Sequence, residues 1–129
     1  MITGVGIDIV HVNRMERWLT NTRLLERFFH PDELVSALSR SNSAQSLAAR
    51  FAAKEAFCKA LGTGLAEIAL KDIMVYNKPN GKPELMLFGT AQKALEKSGA
   101  ARVHVSLTHE KENAVAMVVL EGNINANSE

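Results

Sequence analysis

The chain has 129 residues, 47% of them hydrophobic and 22% charged, with Lys+Arg 15 against Asp+Glu 14 and a net charge of +1. These proportions fit one folded domain and exclude both a disordered chain and a protein that grips nucleic acid by overall charge, which would be far more basic. One cysteine, Cys58, excludes an intramolecular disulfide framework, and no apolar run reaches the roughly 20 residues of a membrane-spanning helix.

The opening residues carry no basic segment followed by a long apolar one, so the expected compartment is cytoplasmic. Residues 2–10 alternate as a strand. Val5, Ile7 and Ile9 point one way; Gly4, Gly6, Asp8 and Val10 point the other, which leaves room beside the Asp8 carboxylate. From Asn13, a predicted N-cap, to about Thr20 the pattern is helical, with Met15, Trp18 and Leu19 on one side. Leu24, Leu25, Phe28 and Phe29 form a second apolar cluster, and Pro31 with the acids after it marks a helix start. Ser39 to Ser43 reads as a loop, with Ser43 as the cap of a long alanine-rich helix from Ala44 to about Leu61 that Gly62-Thr63-Gly64 ends. Two strands, marked by Ile73 and Val75 and by Leu85 and Leu87, flank the turn-rich stretch Asn77 to Pro83. A short amphipathic helix from Thr90 to Lys97 stops at Gly99. A strand carrying Val103, Val105 and Leu107 follows, and after a polar connection another from Ala114 to Glu121. Local hairpins beside helices predict an α+β fold: one domain over 1–121, an antiparallel sheet packed on the long helix, and a frayed tail over 122–129.

The long helix holds the most informative chemistry. Glu55 and Lys59 are four residues apart and share a face, with Phe51 and Gly62 near the same line; Ala53, Phe57 and Ala60 lie opposite. An exposed ion pair on a solvated helix is the plain reading. Against it stands the isolated carboxylate of Asp8 on an otherwise apolar strand. A strand carboxylate with a helix carboxylate is a minimal site for a hard cation such as Mg²⁺, which leaves its other positions to water and phosphate oxygens. Lys59, one turn on, would meet the phosphate. Arg14, Arg17, Arg23 and Arg27 against Glu16 and Glu26 also leave a local positive excess in the first third. Gly62 reads as a helix C-cap or as a point of close ligand approach.

Four segments in order resemble the holo-[acyl-carrier-protein] synthases, short members of the 4′-phosphopantetheinyl transferases. They are Gly4-Val-Gly-Ile-Asp8-Ile-Val with Arg14, the run from Arg50 to Gly64, Asn80-Gly-Lys-Pro83 and Val105-Ser-Leu-Thr-His109. The likeness extends from residue 2 to about 121. It implies the 4′-phosphopantetheinyl transferase fold and an enzyme that moves the phosphopantetheine arm of coenzyme A onto a serine of apo-acyl carrier protein. Adenosine 3′,5′-bisphosphate would leave, in support of fatty acid biosynthesis. By the same resemblance Asp8 and Glu55 ligate Mg²⁺, and Lys59 joins them in catalysis. Arg50, Lys59, Gly62, Pro83, Ser106 and His109 contact coenzyme A, and Arg14, Arg23 and Arg27 receive the acidic carrier. The base is Glu55, or a water on the metal oriented by Glu55 or Asp8. The family also implies a homotrimer with active sites at subunit interfaces. Asn113 departs from the aromatic that many relatives carry there.

Two other readings are a non-catalytic, Mg²⁺-dependent module that binds coenzyme A or a nucleotide, and a nucleic-acid-binding domain using the arginine segment. The near-neutral charge disfavours the second. No nucleic-acid or membrane partner is expected.

Overall fold

The computed structural model describes residues 1–62 and 67–124. Its elements are β1 (Ile2–His11), α1 (Val12–Trp18), α2 (Thr22–Phe28), α3 (Pro31–Leu38), α4 (Ser43–Leu61), a 3-10 turn (Leu70–Asp72), β2 (Ile73–Asn77), β3 (Pro83–Leu87), α5 (Gly89–Ser98), β4 (Ala100–His109) and β5 (Asn113–Gly122). β1, β5 and β4 form an antiparallel three-stranded sheet in that spatial order, and β2 pairs antiparallel with β3. The α+β class, with an antiparallel sheet on a long central helix, is the architecture read from the sequence.

Why α4 is central follows from its composition. Alanine favours a helix at no side-chain entropy cost and lets neighbours approach closely. Leu47, Ala48, Ala52, Ala53, Ala56 and Phe57 are all fully buried, because the sheet covers one side of α4 while α1, α3 and β2 cover the others. The closest approach is to β1. A Cβ added at Gly6 would lie 2.0 Å from the Ala56 carbonyl oxygen, and one at Gly4 2.1 Å from that of Ala60. This reverses one expectation: the glycine face of β1 has no open room beside it, because α4 fills it. Asp8 therefore projects against the helix that carries Glu55. The strand's other face, with Val5, Ile7 and Ile9 each more than half exposed, is the open one.

Two helix starts also differ from expectation. α1 begins at Val12 with His11 at its N-cap, and Asn13 lies inside it. Ser43 is the first residue of α4, with Asn42 at the N-cap, and neither α1 nor α4 has a side-chain cap bond. Both starts are set by packing instead: the chain leaves β1 directly into α1, whose Val12 N–H is taken by the Glu112 carbonyl at 2.9 Å. At its other end α4 stops where Gly62 turns left-handed, at φ 79°, and donates its N–H to the Cys58 and Lys59 carbonyls. That supports the C-cap reading of Gly62. Thr63, Gly64 and tail residues 125–129 lie outside the described residues.

Candidate active site

Asp8 and Glu55 are far apart in sequence and meet because β1 and α4 touch through glycine and alanine backbone. Lys59, one turn along α4, donates to Asp8 Oδ1 at 2.8 Å and to the Ile7 carbonyl at 3.1 Å. The other Asp8 oxygen, Oδ2, is buried with no hydrogen-bond partner among the described residues. Burial first, then the hydrogen bond and negative charge of Asp8, push the Glu55 carboxyl up to about 6, while the charges of Arg14 and Lys59 pull the other way. A raised Glu55 carboxyl next to an Asp8 with an orphaned buried oxygen suits a divalent cation. The donor chemistry fits a divalent cation such as Mg²⁺, and Asp8 and Glu55 are the residues that could hold it.

Around this pair the predicted residues fall into separate groups. Arg14 stands over the rings of Trp18 and Phe51, at 5.4 and 5.0 Å from their centroids. It lies on an aromatic cluster that α1, α2 and α4 share, in which Trp18 stacks on Phe28 at 5.4 Å. It also lines a broad depression of about 1010 Å³ with His11, Arg17, Gln45 and Lys111. Arg23 and Arg27 are exposed on α2, Arg27 over the Phe28 ring at 5.3 Å. Of these arginines only Arg14 acts on the carboxylates, its charge opposing the rise of Glu55.

A second cleft, of about 220 Å³, brings Arg50, Pro83 and His109 together with Arg40, Asn42 and Asn77. Three residues assigned with them stand elsewhere, Lys59 being held at Asp8. Ser106 lies on the opposite face of β4 from Leu107 and His109, because side chains alternate along a strand. Gly62 lies at the far end of α4 from Asn42 and lines neither depression. Arg50 is only 5% exposed, and its donors are directed inward: Nε to Ser46 Oγ at 3.2 Å, Nη1 to the Val75 carbonyl at 2.6 Å and Nη2 to Ser36 Oγ at 3.3 Å. It presents charge to the cleft from a fixed frame.

Sequence reasoning passed over Glu33 and Lys54, whose side chains are completely buried and joined at 2.6 Å. Their neighbours hid them. Glu33 reads as a first-turn acid of α3, which it is, since its Oε1 accepts the His30 N–H at 3.0 Å. Lys54 reads as one more lysine beside Glu55. At Asn113 the side-chain amide donates to Glu110 Oε1 at 3.2 Å, so the residue pins the β4–β5 turn by polar contact.

Comparison with known proteins matches residues 4–118 to the 4′-phosphopantetheinyl transferase superfamily. The chain is 61% identical over 123 residues to the holo-[acyl-carrier-protein] synthase of Treponema denticola, covering 95% of this chain and 100% of that one. To the holo-[acyl-carrier-protein] synthase of Treponema pallidum it is 52% identical over 122 residues, with 95% and 98% covered. Among solved structures, holo-[acyl-carrier-protein] synthase from Neisseria meningitidis superposes with a TM-score of 0.85 at 36% identity, covering 94% and 99%. The Bacillus anthracis holo-(acyl-carrier-protein) synthase in complex with CoA (3′,5′-ADP) does so with a TM-score of 0.79 at 40% identity, covering 95% and 99%.

Proposed function

The chain belongs to the holo-[acyl-carrier-protein] synthases of the 4′-phosphopantetheinyl transferase superfamily, and we propose its reaction on that premise. It transfers the 4′-phosphopantetheine group of coenzyme A to a serine of apo-acyl carrier protein and releases adenosine 3′,5′-bisphosphate. The reaction is Mg²⁺-dependent, and the product supports fatty acid biosynthesis in the cytoplasm. The observation that carries this reading is the meeting of Asp8, whose buried Oδ2 has no partner among the described residues, and the raised carboxyl of Glu55 beside Lys59.

When bound, Mg²⁺ would be held by Asp8 and Glu55 and would neutralise charge on the coenzyme A pyrophosphate. Lys59 is more than half exposed at its side chain and adds a second positive charge on the same side of α4. The carrier serine hydroxyl gives its proton to Glu55, or to a water that Glu55 or Asp8 orients. His109, Arg50 and Pro83 receive a phosphate-bearing end of coenzyme A in their shared cleft. Arg14, Arg23 and Arg27 meet the acidic carrier, where exposed charges act mainly on the rate of encounter.

The enzyme assembles as a homotrimer. Support comes from the outer face of the three-stranded sheet, where Val5, Ile7 and Ile9 are 56, 56 and 60% exposed and Met117 is 43%. An apolar face of that kind on a folded chain marks an interaction surface, and other copies of this chain are the occupants proposed.

Incubation with coenzyme A, Mg²⁺ and apo-acyl carrier protein, followed by mass spectrometry of the carrier, tests the transfer. A phosphopantetheine adduct is expected, absent in chelator and restored by Mg²⁺. Binding of coenzyme A with no mass gain on the carrier would replace the transferase by a binding module.

A further inference from the structure

β2 has one edge paired with β3, in the register Ile73 to Leu87, Val75 to Leu85 and Asn77 to Pro83. Its other edge meets three buried side chains from two helices. Lys54 Nζ donates to the Ile73 carbonyl, and also to the Leu70 carbonyl at 3.0 Å. Glu33 Oε2 accepts the Val75 N–H at 3.0 Å. Arg50 Nη1 donates to the Val75 carbonyl at 2.6 Å. Alternate donors and acceptors along a strand edge are what a neighbouring strand supplies; here Lys54, Glu33 and Arg50 supply them. Glu33 joins the other two, with Oε1 at 2.6 Å from Lys54 Nζ and Oε2 at 3.8 Å from Arg50 Nη1. The same Oε1 accepts the His30 N–H, so α3 is fixed by the contact that fixes β2.

This three-residue edge sets the height of the β2–β3 hairpin against α4. The hairpin carries Pro83 and Asn77 into the cleft that Arg50 and His109 also line. Arg50 belongs to both: its guanidinium grips Val75 and reaches the cleft wall. The triad also has one anion for two cations, with all three side chains buried. Every hydrogen bond in it therefore has consequences, because a buried charge stripped of its partner is strongly unfavourable.

We propose that Glu33 and Lys54 are positioning residues for coenzyme A, acting through Arg50 and the β2–β3 hairpin to hold the Arg50–Pro83–His109 cleft at the spacing its ligand needs. This rests on the reading that the cleft receives coenzyme A. It predicts an effect on one substrate only. Lys54 adjoins Glu55 in α4, yet among the described residues neither its side chain nor that of Glu33 bonds to Asp8, Glu55 or the arginines of α1 and α2, so carrier recognition should survive.

The test uses Glu33→Gln, Glu33→Asp and the double variant Ser36→Ala/Ser46→Ala. The first removes the charge and the second shortens its reach. The third deletes the two hydroxyls that hold Arg50 Nε and Nη2, Ser46 being also part of the cleft wall, and leaves the buried charges intact. Steady-state kinetics with each substrate varied, binding of adenosine 3′,5′-bisphosphate by calorimetry and thermal melting are read together. The expected result for folded Glu33 variants is a KM for coenzyme A raised about tenfold, the effect of one misplaced charge-assisted hydrogen bond, with carrier KM within about twofold. Bisphosphate affinity falls in parallel. Glu33→Asp, which keeps the charge, recovers part of the loss. If the Glu33 variants do not fold, the serine pair decides, with a rise of about threefold expected in coenzyme A KM. Variants that melt lower while coenzyme A KM and bisphosphate affinity stay at the parent value would overturn the proposal and leave the triad purely structural. His109→Gln separates the two levels: unchanged coenzyme A KM there would show that the cleft does not take the ligand, whatever Glu33 does.

Discussion

Gly6→Ala is the smallest change that should break the site without touching a functional side chain. The new methyl carbon would stand 2.0 Å from the Ala56 carbonyl oxygen and 2.6 Å from the Ala60 amide nitrogen, against the 3.4 Å at which ordinary contact begins. The obstructing atoms are helix backbone, so no rotamer can move out of the way. β1 and α4 would have to part by roughly 1.4 Å, or the strand would have to slide. Overpacking of this kind costs about 3 kcal/mol, the upper end of its usual range, because the backbone cannot yield locally. For a domain of this size that lowers Tm by about 12 °C. The parting also falls between Asp8, two residues along β1, and Glu55, adjacent to Ala56, so a divalent cation would lose one ligand or the other. Differential scanning calorimetry and the carrier mass assay, run below the lowered Tm, separate the two effects. Turnover should drop at least about a hundredfold, as misplacement of about 1 Å in catalytic geometry commonly does. A Gly6→Ala protein with parental Tm and rate would refute the claim that glycine contact is what brings the carboxylates together.

Other changes probe the remaining groups. Asp8→Asn and Glu55→Gln should each lower turnover by at least about a thousandfold while melting near the parental temperature, since neither side chain supports the core; the mass assay checks the rate and calorimetry the fold. Arg23→Ala should raise the KM for carrier about threefold and steepen no dependence on coenzyme A; equal effects on both substrates would remove α2 from the carrier surface. Cys58 carries a pH prediction. Burial pushes its thiol up from 9.0 to about 11, so as pH rises the unfolded chain loses this proton before the folded one does. The cysteine's contribution therefore favours the folded state below pH 9.0 and is lost between there and about 11. Denaturant midpoints across that window should fall more for the parent than for Cys58→Ala, and identical slopes would show that the thiol is not shielded.

Much of this was legible in the sequence for a physical reason: local signals act over a few residues. Period-two alternation in β1, β4 and β5, the Pro- and Gly-free alanine run of α4 and its glycine stop all depend on neighbours close in sequence. Each carboxylate also stood out locally, Asp8 as the one charge on an apolar strand and Glu55 beside Lys59 on a helix face, although their meeting is a long-range contact of β1 with α4. What stayed hidden depended on partners far away in the chain. The glycine face of β1 looked open because a strand alone does not reveal that a helix of alanines will fill it. Glu33 showed only its local role as a first-turn acid, while its long-range partners, Lys54 and Val75, lie 21 and 42 residues away.

Arg14 shows why the arginines should not be treated as one patch. Arg23 and Arg27 sit on α2, where solvent screens their charge and leaves them to act on encounter. Arg14 follows β1 directly, and its guanidinium lies over Trp18 and Phe51, two rings of the cluster that joins α1 to α4. Its charge also reaches Glu55, where it opposes the effect of Asp8. A guanidinium held by two rings loses little freedom when it meets an anion, so Arg14 is fixed in place before a carrier arrives. Arg14→Ala should therefore raise carrier KM as Arg23→Ala does and, unlike it, also lower kcat. Arg14→Lys keeps the charge but not the planar stacking, and should recover kcat less than KM. Steady-state kinetics with carrier varied decides the matter. If Arg14→Ala and Arg23→Ala change only KM, and by the same factor, the ring contacts have no part in catalysis and Arg14 is one more surface charge.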